Sequence, residues 1–128
     1  MRLLLDTHSF LWFVLNDPAL SPAAERLIVD PQNEIEVSPA TYWEIAIKIS
    51  TGKYSLTESL PGFMEREITT NRFRILPIEP RHVGPLTNLP FHHRDPFDRL
   101  LVAQAMTEQI PIVSNDTMLD AYPVTRLW

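Results

Sequence analysis

Apolar residues along this chain fall in short continuous runs separated by longer stretches of mixed polarity. Leu3-Leu4-Leu5 is one such run, followed at once by Asp6-Thr7 and an apolar helical stretch. A strand covered on both faces has no polar positions to alternate, so this segment predicts a buried parallel strand feeding a helix. Ser21-Pro22 opens a second helix. Asn33-Glu34-Ile35-Glu36-Val37-Ser38 alternates charged and apolar side chains, which predicts a second strand with one wetter face. Ser38-Pro39 then supplies an N-cap and a first-turn proline. A helix from about Pro39 to Ser50 follows, ended by Gly52.

The pattern from Ser59 to Asn71 is helical, and Arg74-Ile75-Leu76-Pro77-Ile78 reads as a third strand with proline near its end. A proline-rich connection runs from Pro80 to Asp95. Asp95-Pro96-Phe97-Asp98 opens the clearest helix, with Phe97, Leu100, Leu101, Ala105 and Met106 as its apolar stripe. Ile110 to Ser114 is a fourth strand, Asp116 to Ala121 a helical turn, and Val124 to Trp128 a last strand at the edge. Strands separated by helices predict an α/β layer fold with a mainly parallel central sheet flanked by helices, since right-handed crossovers join parallel neighbours. Ligands in such folds bind beyond the carboxyl ends of the strands, which directs attention to the residues just after each strand.

A length of 128 residues, 45% of them hydrophobic and 21% charged, fits one globular domain spanning 1–128. Twelve prolines against three glycines punctuate the elements, with Pro22, Pro39, Pro61 and Pro96 as helix openers. The net charge of −5 argues against holding a polyanion by bulk positive charge, so a nucleic acid would need a local basic patch. The absence of cysteine excludes disulfides, thiolate zinc sites and cysteine nucleophiles, and is compatible with a reducing cytoplasm. Asp6 and His8 interrupt the apolar N-terminus before it reaches signal-peptide length, and the apolar run Phe10 to Leu15 is far below the roughly 18 residues of a membrane span. A soluble protein with no membrane association is expected.

The chemistry-bearing residues are carboxylates. Asp6 follows the first strand, Glu44 lies inside the helix after the second, Asp95 and Asp98 begin the long helix, and Asp116 follows the fourth strand. Four segments therefore deliver acids toward one edge of the sheet. Carboxylates brought together repel one another unless a cation sits among them, and hard oxygen ligands favour Mg²⁺ or Mn²⁺, a combination suited to metal-assisted hydrolysis of a phosphate ester. Each acid also has an ordinary explanation: Asp6 and Asp95 as N-caps, Asp98 in a first helical turn, Glu44 paired with Lys48, Asp116 in a turn.

Four ordered blocks carry a family resemblance: Leu3-Leu4-Leu5-Asp6-Thr7-His8; Tyr42-Trp43-Glu44-Ile45-Ala46-Ile47-Lys48 with Gly52-Lys53; His93-Arg94-Asp95-Pro96-Phe97-Asp98-Arg99-Leu100-Leu101-Val102-Ala103-Gln104-Ala105; and Ile112-Val113-Ser114-Asn115-Asp116 with Tyr122-Pro123-Val124. Together they resemble PIN-domain proteins over essentially the whole chain, most of all the single-domain bacterial toxins of the VapC type. The resemblance implies a Mg²⁺-dependent ribonuclease leaving a 5′-phosphate and a 3′-hydroxyl, neutralised by a co-encoded antitoxin; a homodimer or a toxin–antitoxin hetero-oligomer is expected. It also implies that Asp6, Glu44 and Asp98 are the first three acids of a metal site. Asp116 is taken as the fourth, with Asp120 as the alternative if the final loop is placed differently. Asp95 is read as the N-cap that aims Asp98, and Thr7 and Ser114 as hydroxyls that orient a carboxylate or water.

An RNA substrate needs cations, and here nine arginines outnumber two lysines. His92, His93, Arg94 and Arg99 flank the acids and are the first candidates for substrate contact, with Arg66, Arg72 and Arg74 as a second patch. The four histidines lack zinc-motif spacing, and neither a P-loop nor a Gly-x-Ser-x-Gly elbow is present. Phe10, Trp12, Phe13, Tyr42 and Trp43 are expected in the core or at a dimer surface rather than as a base-stacking platform. Phe10 to Leu15, apolar all round a helix, is expected to contribute to a homodimer or antitoxin interface. Rival readings are a catalytically silent PIN-like module that binds RNA or protein, and a metal-dependent phosphatase or DNA nuclease using the same carboxylates.

Overall fold

Leu3, Leu4 and Leu5 are completely buried because they form the middle of a sheet covered on both faces. The computed structural model describes residues 1–128. Its strands are β1 (Arg2–Leu5), β2 (Glu34–Val37), β3 (Arg74–Ile75), β4 (Ile112–Val113) and β5 (Arg126–Leu127), all parallel and in the order β3-β2-β1-β4-β5. Leu5 lies opposite Val37 on one side and Val113 on the other. The helices are α1 (Thr7–Val14), α2 (Pro22–Val29), α3 (Pro39–Ser50), α4 (Leu60–Thr70), α5 (Pro80–Val83) and α6 (Pro96–Glu108), with 3-10 turns at Gly84–Thr87 and Thr117–Ala121. The α/β layer architecture with a parallel central sheet is as the pattern predicts.

The two faces of the sheet build separate cores. Leu3, Leu5, Ile35, Val37 and Val113 pack against α1, α2, α3 and α4 through Phe10, Ala24, Ile28, Ile45, Phe63 and Met64. Leu4 and Ile112 point the other way, toward Leu101, Val102 and Ala105 of α6 and toward Leu89 and Tyr122. Ser21, Ser38 and Ser59 cap their helices with side-chain oxygens, and Pro22, Pro39 and Pro96 are first helical residues while Pro61 is second. Past α3, Gly52 takes φ +75°, the left-handed conformation that lets the chain turn away.

Four details depart from the pattern. The wetter face expected of β2 is kept only at Glu34, which is exposed: Glu36 is buried and ion-paired to Arg2 at 2.7 Å, while Arg2 also reaches Glu108 at 3.0 Å. A charge at a polar position of the strand marks a buried ion pair here, not a solvent face. β3 and β4 are shorter than expected, because Pro77 and Pro111 have no N–H to extend a ladder. The Pro80 to Asp95 connection holds a helical turn, α5, whose fully buried His82 accepts from the Glu79 N–H at Nδ1 and lies 2.8 Å from Glu108 at Nε2. On α6 burial runs through Leu101, Val102, Ala103, Gln104 and Ala105, since the helix is enclosed by the sheet, α3, α5 and the following turn, and the expected stripe members Phe97, Leu100 and Met106 are only partly buried.

In the apolar run, Phe10 and Leu11 enter the core, Trp12, Phe13 and Val14 are half-buried, and Leu15 is exposed. Trp12 rests edge-on against Trp128. No helix is long and apolar enough to cross a membrane.

Candidate active site

The chain leaves β1 toward β2 and β3 on one side and returns to β4 and β5 on the other, so the topological switch point lies beyond the carboxyl ends of β1 and β4. Asp6 stands at the first of these ends and Ser114 at the second. Asp6 is buried, and as the N-cap of α1 its Oδ1 accepts the Ser9 N–H at 2.8 Å. The Ser9 hydroxyl donates to the Val113 carbonyl at 2.9 Å, tying α1 to β4. Burial pushes the Asp6 carboxyl above the usual carboxylate range, against the opposing pull of Ser114 and Ser9. Thr7 shares a buried hydrogen bond of 3.2 Å with Thr41, which joins the start of α1 to α3.

Glu44 lies one and a half turns into α3, almost fully buried. Its Oε2 is 3.3 Å from Lys48 Nζ, the i,i+4 pair expected, but its Oε1 is buried with no hydrogen-bond partner. A buried carboxylate oxygen without a donor carries a desolvation cost that a ligand would relieve.

Asp95 caps α6, its Oδ1 accepting from the Phe97 and Asp98 amides at 2.8 and 3.1 Å, which sets the first turn from which Asp98 projects. Burial, together with the charges of Asp95, Glu44 and Asp6, pushes the Asp98 carboxyl up to about 7, the His93 imidazole drawing it part of the way back. That field places Asp6 and Glu44 within electrostatic reach of Asp98. Asp116 caps the last 3-10 turn through the Met118 N–H at 3.0 Å, and its own amide donates to the Ser114 hydroxyl at 3.0 Å.

His93 Nε2 lies 2.8 Å from Asp116 Oδ2 and 3.2 Å from Asp98 Oδ2. The Asp95 amide donates to His93 Nδ1 at 3.1 Å, so the hydrogen of the neutral ring sits on Nε2 and points at the two acids. The ligand atoms of His93, Asp98 and Asp116 all lie within 4.8 Å of one another. Asp120 faces away: it is exposed and paired with Arg126 at 2.8 and 3.0 Å.

The cations need correction. Arg99 is buried, and its guanidinium donates to the carbonyls of Leu89 at 3.0 Å, Pro90 at 2.9 Å and His93 at 3.3 Å, so it braces a loop and has no face for a substrate. His93 likewise turns into the acids. His92 and Arg94 are exposed beside them. The second patch is dispersed: Arg66 is paired with Glu58 and Glu67, while Arg72 and the Glu34-paired Arg74 lie toward the amino ends of the strands, across the sheet from the acids. Of the aromatic set, Phe10 is core, and Trp43 is a surface residue, 61% exposed, that meets Phe97 edge-on at 5.0 Å. Sequence reasoning passed over Phe91, whose only signal is an aromatic in an otherwise polar, proline-rich stretch.

The PIN domain family profile matches residues 3–124. No curated protein matches the chain by sequence. Among solved structures, VapBC2 from Rickettsia felis, bound to a DNA fragment from its promoter, superposes with a TM-score of 0.76 at 17% identity, covering 100% of this chain and 99% of that one. FitAcB from Neisseria gonorrhoeae gives 0.67 at 17% identity over 98% and 96% of the two chains. VapBC-1 from nontypeable Haemophilus influenzae gives 0.66 at 18% identity over 99% and 97%. With acids at the carboxyl edge of a parallel sheet and a profile match over nearly its whole length, the chain belongs to the PIN domain family.

Proposed function

We propose that this protein is a Mg²⁺- or Mn²⁺-dependent endoribonuclease and the toxin of a type II toxin–antitoxin pair, with Asp6, Glu44, Asp98 and Asp116 as its metal-holding acids. The observation that carries the reading is the buried Glu44 Oε1 without a partner in the same electrostatic neighbourhood as an Asp98 carboxyl raised to about 7. Both strains are of the kind a divalent cation relieves, and the carboxylate donors suit a hard ion. When bound, such an ion lowers the pKa of a water and offsets charge on the phosphodiester.

The chain's own residues do the positioning. The Ser9 amide fixes Asp6, the Asp95 cap aims Asp98, and His93 donates to Asp116. Asp98 must give up its proton to serve as an anionic ligand, which a cation makes favourable. Exposed Arg94 and His92 are the candidates to meet the phosphates of the strand, Arg94 supplying local positive charge in a chain of net −5.

An antitoxin partner is supported by the fold shared with the VapBC and FitAcB structures and by an open apolar groove on the helix that carries Glu44. The groove, of about 570 Å³, runs between α3 and α4 and is lined by Pro39, Tyr42, Trp43, Leu60 and Met64 among others. A partner segment that pairs apolar residues with a basic one fits an apolar groove with Glu65 on its lining.

The test is cleavage of a mixed pool of structured RNAs, beside DNA and a small phosphomonoester, with Mg²⁺, with chelator, and with Asp6→Asn in parallel. RNA cleavage requiring both metal and Asp6 is expected. Loss of neither with chelator or variant would expose a contaminant, and cleavage confined to DNA or the monoester would replace RNA as the substrate.

A further inference from the structure

We infer that Phe91 is a stacking platform for an unpaired nucleobase of the substrate, beside the acid cluster. The inference deepens the ribonuclease reading and rests on it. Phe10, Phe63 and Phe73 are buried and Phe13 and Phe97 are half-buried, whereas Phe91 is 73% exposed. An exposed phenylalanine at a loop tip is ordinarily mobile. This one is not free to wander, because the Arg99 guanidinium covers one face of the ring at 3.9 Å from its centroid.

The brace behind the ring is itself rigid. The guanidinium donates to the carbonyls on both sides of Phe91, at Pro90 and His93, and to Leu89. Tyr122 closes the same loop, its hydroxyl donating to the Pro90 carbonyl at 2.7 Å and accepting the His93 N–H at 2.9 Å. The ring therefore presents one open aromatic face whose orientation is fixed before anything binds, which keeps the ordering cost of stacking small.

Position argues for a base rather than a protein side chain. Phe91 is two residues from His93, a reach of about 7 Å along the chain, and His93 Nε2 contacts both Asp98 and Asp116. A base on this ring belongs to a nucleotide at or next to the one whose phosphate meets the acids. Along the loop Asn88, His92 and Arg94 are polar and exposed, Pro90 is the one exposed apolar residue beside the ring, and no other large hydrophobic residue from Gly84 to Thr117 is exposed, a setting that suits a base better than an apolar protein surface. Every base has a π-face, so this contact favours unstacked nucleotides with little preference among bases.

The test measures binding of short labelled single-stranded RNAs by fluorescence anisotropy on an Asp98→Asn background, which separates binding from cleavage. Oligoadenylate is expected to bind more tightly than an abasic chain of the same length. Phe91→Ala should weaken oligoadenylate by about tenfold and erase that difference. Phe91→Trp should restore it and Phe91→Leu should not. Equal affinity for the two chains, or oligoadenylate binding unchanged in Phe91→Ala, overturns the platform and leaves the ring to a protein contact. If the binding pattern holds but the native chain cleaves no RNA, stacking stands and the nuclease reading falls; Asp6-dependent cleavage without any Phe91 effect is the reverse.

Discussion

His93 donates its Nε2 hydrogen to Oδ2 of Asp116 across 2.8 Å, with the opposite ring nitrogen locked as an acceptor by the Asp95 amide. On the proposed reading, that tautomer makes His93 a donor to the metal-holding acids, and an outer partner of this kind typically contributes tenfold to 100-fold in metal affinity. His93→Ala should lower Mn²⁺ affinity by about that factor in calorimetry, and His93→Gln, which keeps a donor, should recover part of it. Unchanged affinity in His93→Ala would remove the positioning role.

Asp98 couples the site to stability. Its carboxyl titrates near 3.8 when unperturbed and at about 7 in the metal-free fold. Between those values the unfolded chain has released a proton that the folded chain still holds, so the contribution of Asp98 to folding stability is fully present below pH 4 and is lost as pH rises through 7. Denaturant unfolding in chelator at a series of pH values should show this decline between pH 4 and 7, and Asp98→Asn should make it shallower, the buried Asp6 keeping a share of the same sign. A stability that rises over the same window in the native chain but not in the variant would reverse the sign of the perturbation.

The choice between the two late acids is open to direct measurement. Asp116 faces the cluster and Asp120 is spent on Arg126 at the surface. Cleavage by Asp120→Asn should match the native rate, while Asp116→Asn should lose about two orders of magnitude or more, the scale of removing a group that stabilises developing charge. Equal losses in the two variants would require a different placement of the last turn.

Arg99 is predicted to matter through folding and loop order, not through phosphate contact. Arg99→Ala leaves the buried Leu89 carbonyl without its donor and the Pro90 carbonyl with the Tyr122 hydroxyl alone, a cost of about 1.5–3 kcal/mol for hydrogen bonds to a charged group. Arg99→Lys should be nearly as destabilising, because one ammonium cannot span the same fork of carbonyls. Chemical unfolding of both variants checks this, and wild-type stability in Arg99→Ala would refute the brace.

The elements that were legible are those written locally. The Leu3-Leu4-Leu5 run, the Ser-Pro helix openers at Ser21 and Ser38, and the Asp95 cap each carry their own backbone logic, and each appears where expected. Errors arose where a distant partner decides the meaning of a residue. Glu36 read as wet because alternation cannot show that Arg2 and the end of α6 close over it. Arg99 read as a phosphate contact because nothing near it in sequence reveals three loop carbonyls waiting for donors.

By itself the amino-acid order determined the parallel α/β architecture and which carboxylates stand at strand ends and helix starts, since periodicity, caps and prolines act over a few residues. Only the tertiary structure decided that Asp116 rather than Asp120 faces Asp98, that His93 turns inward while His92 stays out, and that Phe91 stands braced on Arg99. The physical reason is that these outcomes depend on hydrogen bonds and charges between elements far apart in the chain, whose geometry exists only after the sheet has brought the ends of its strands to one edge.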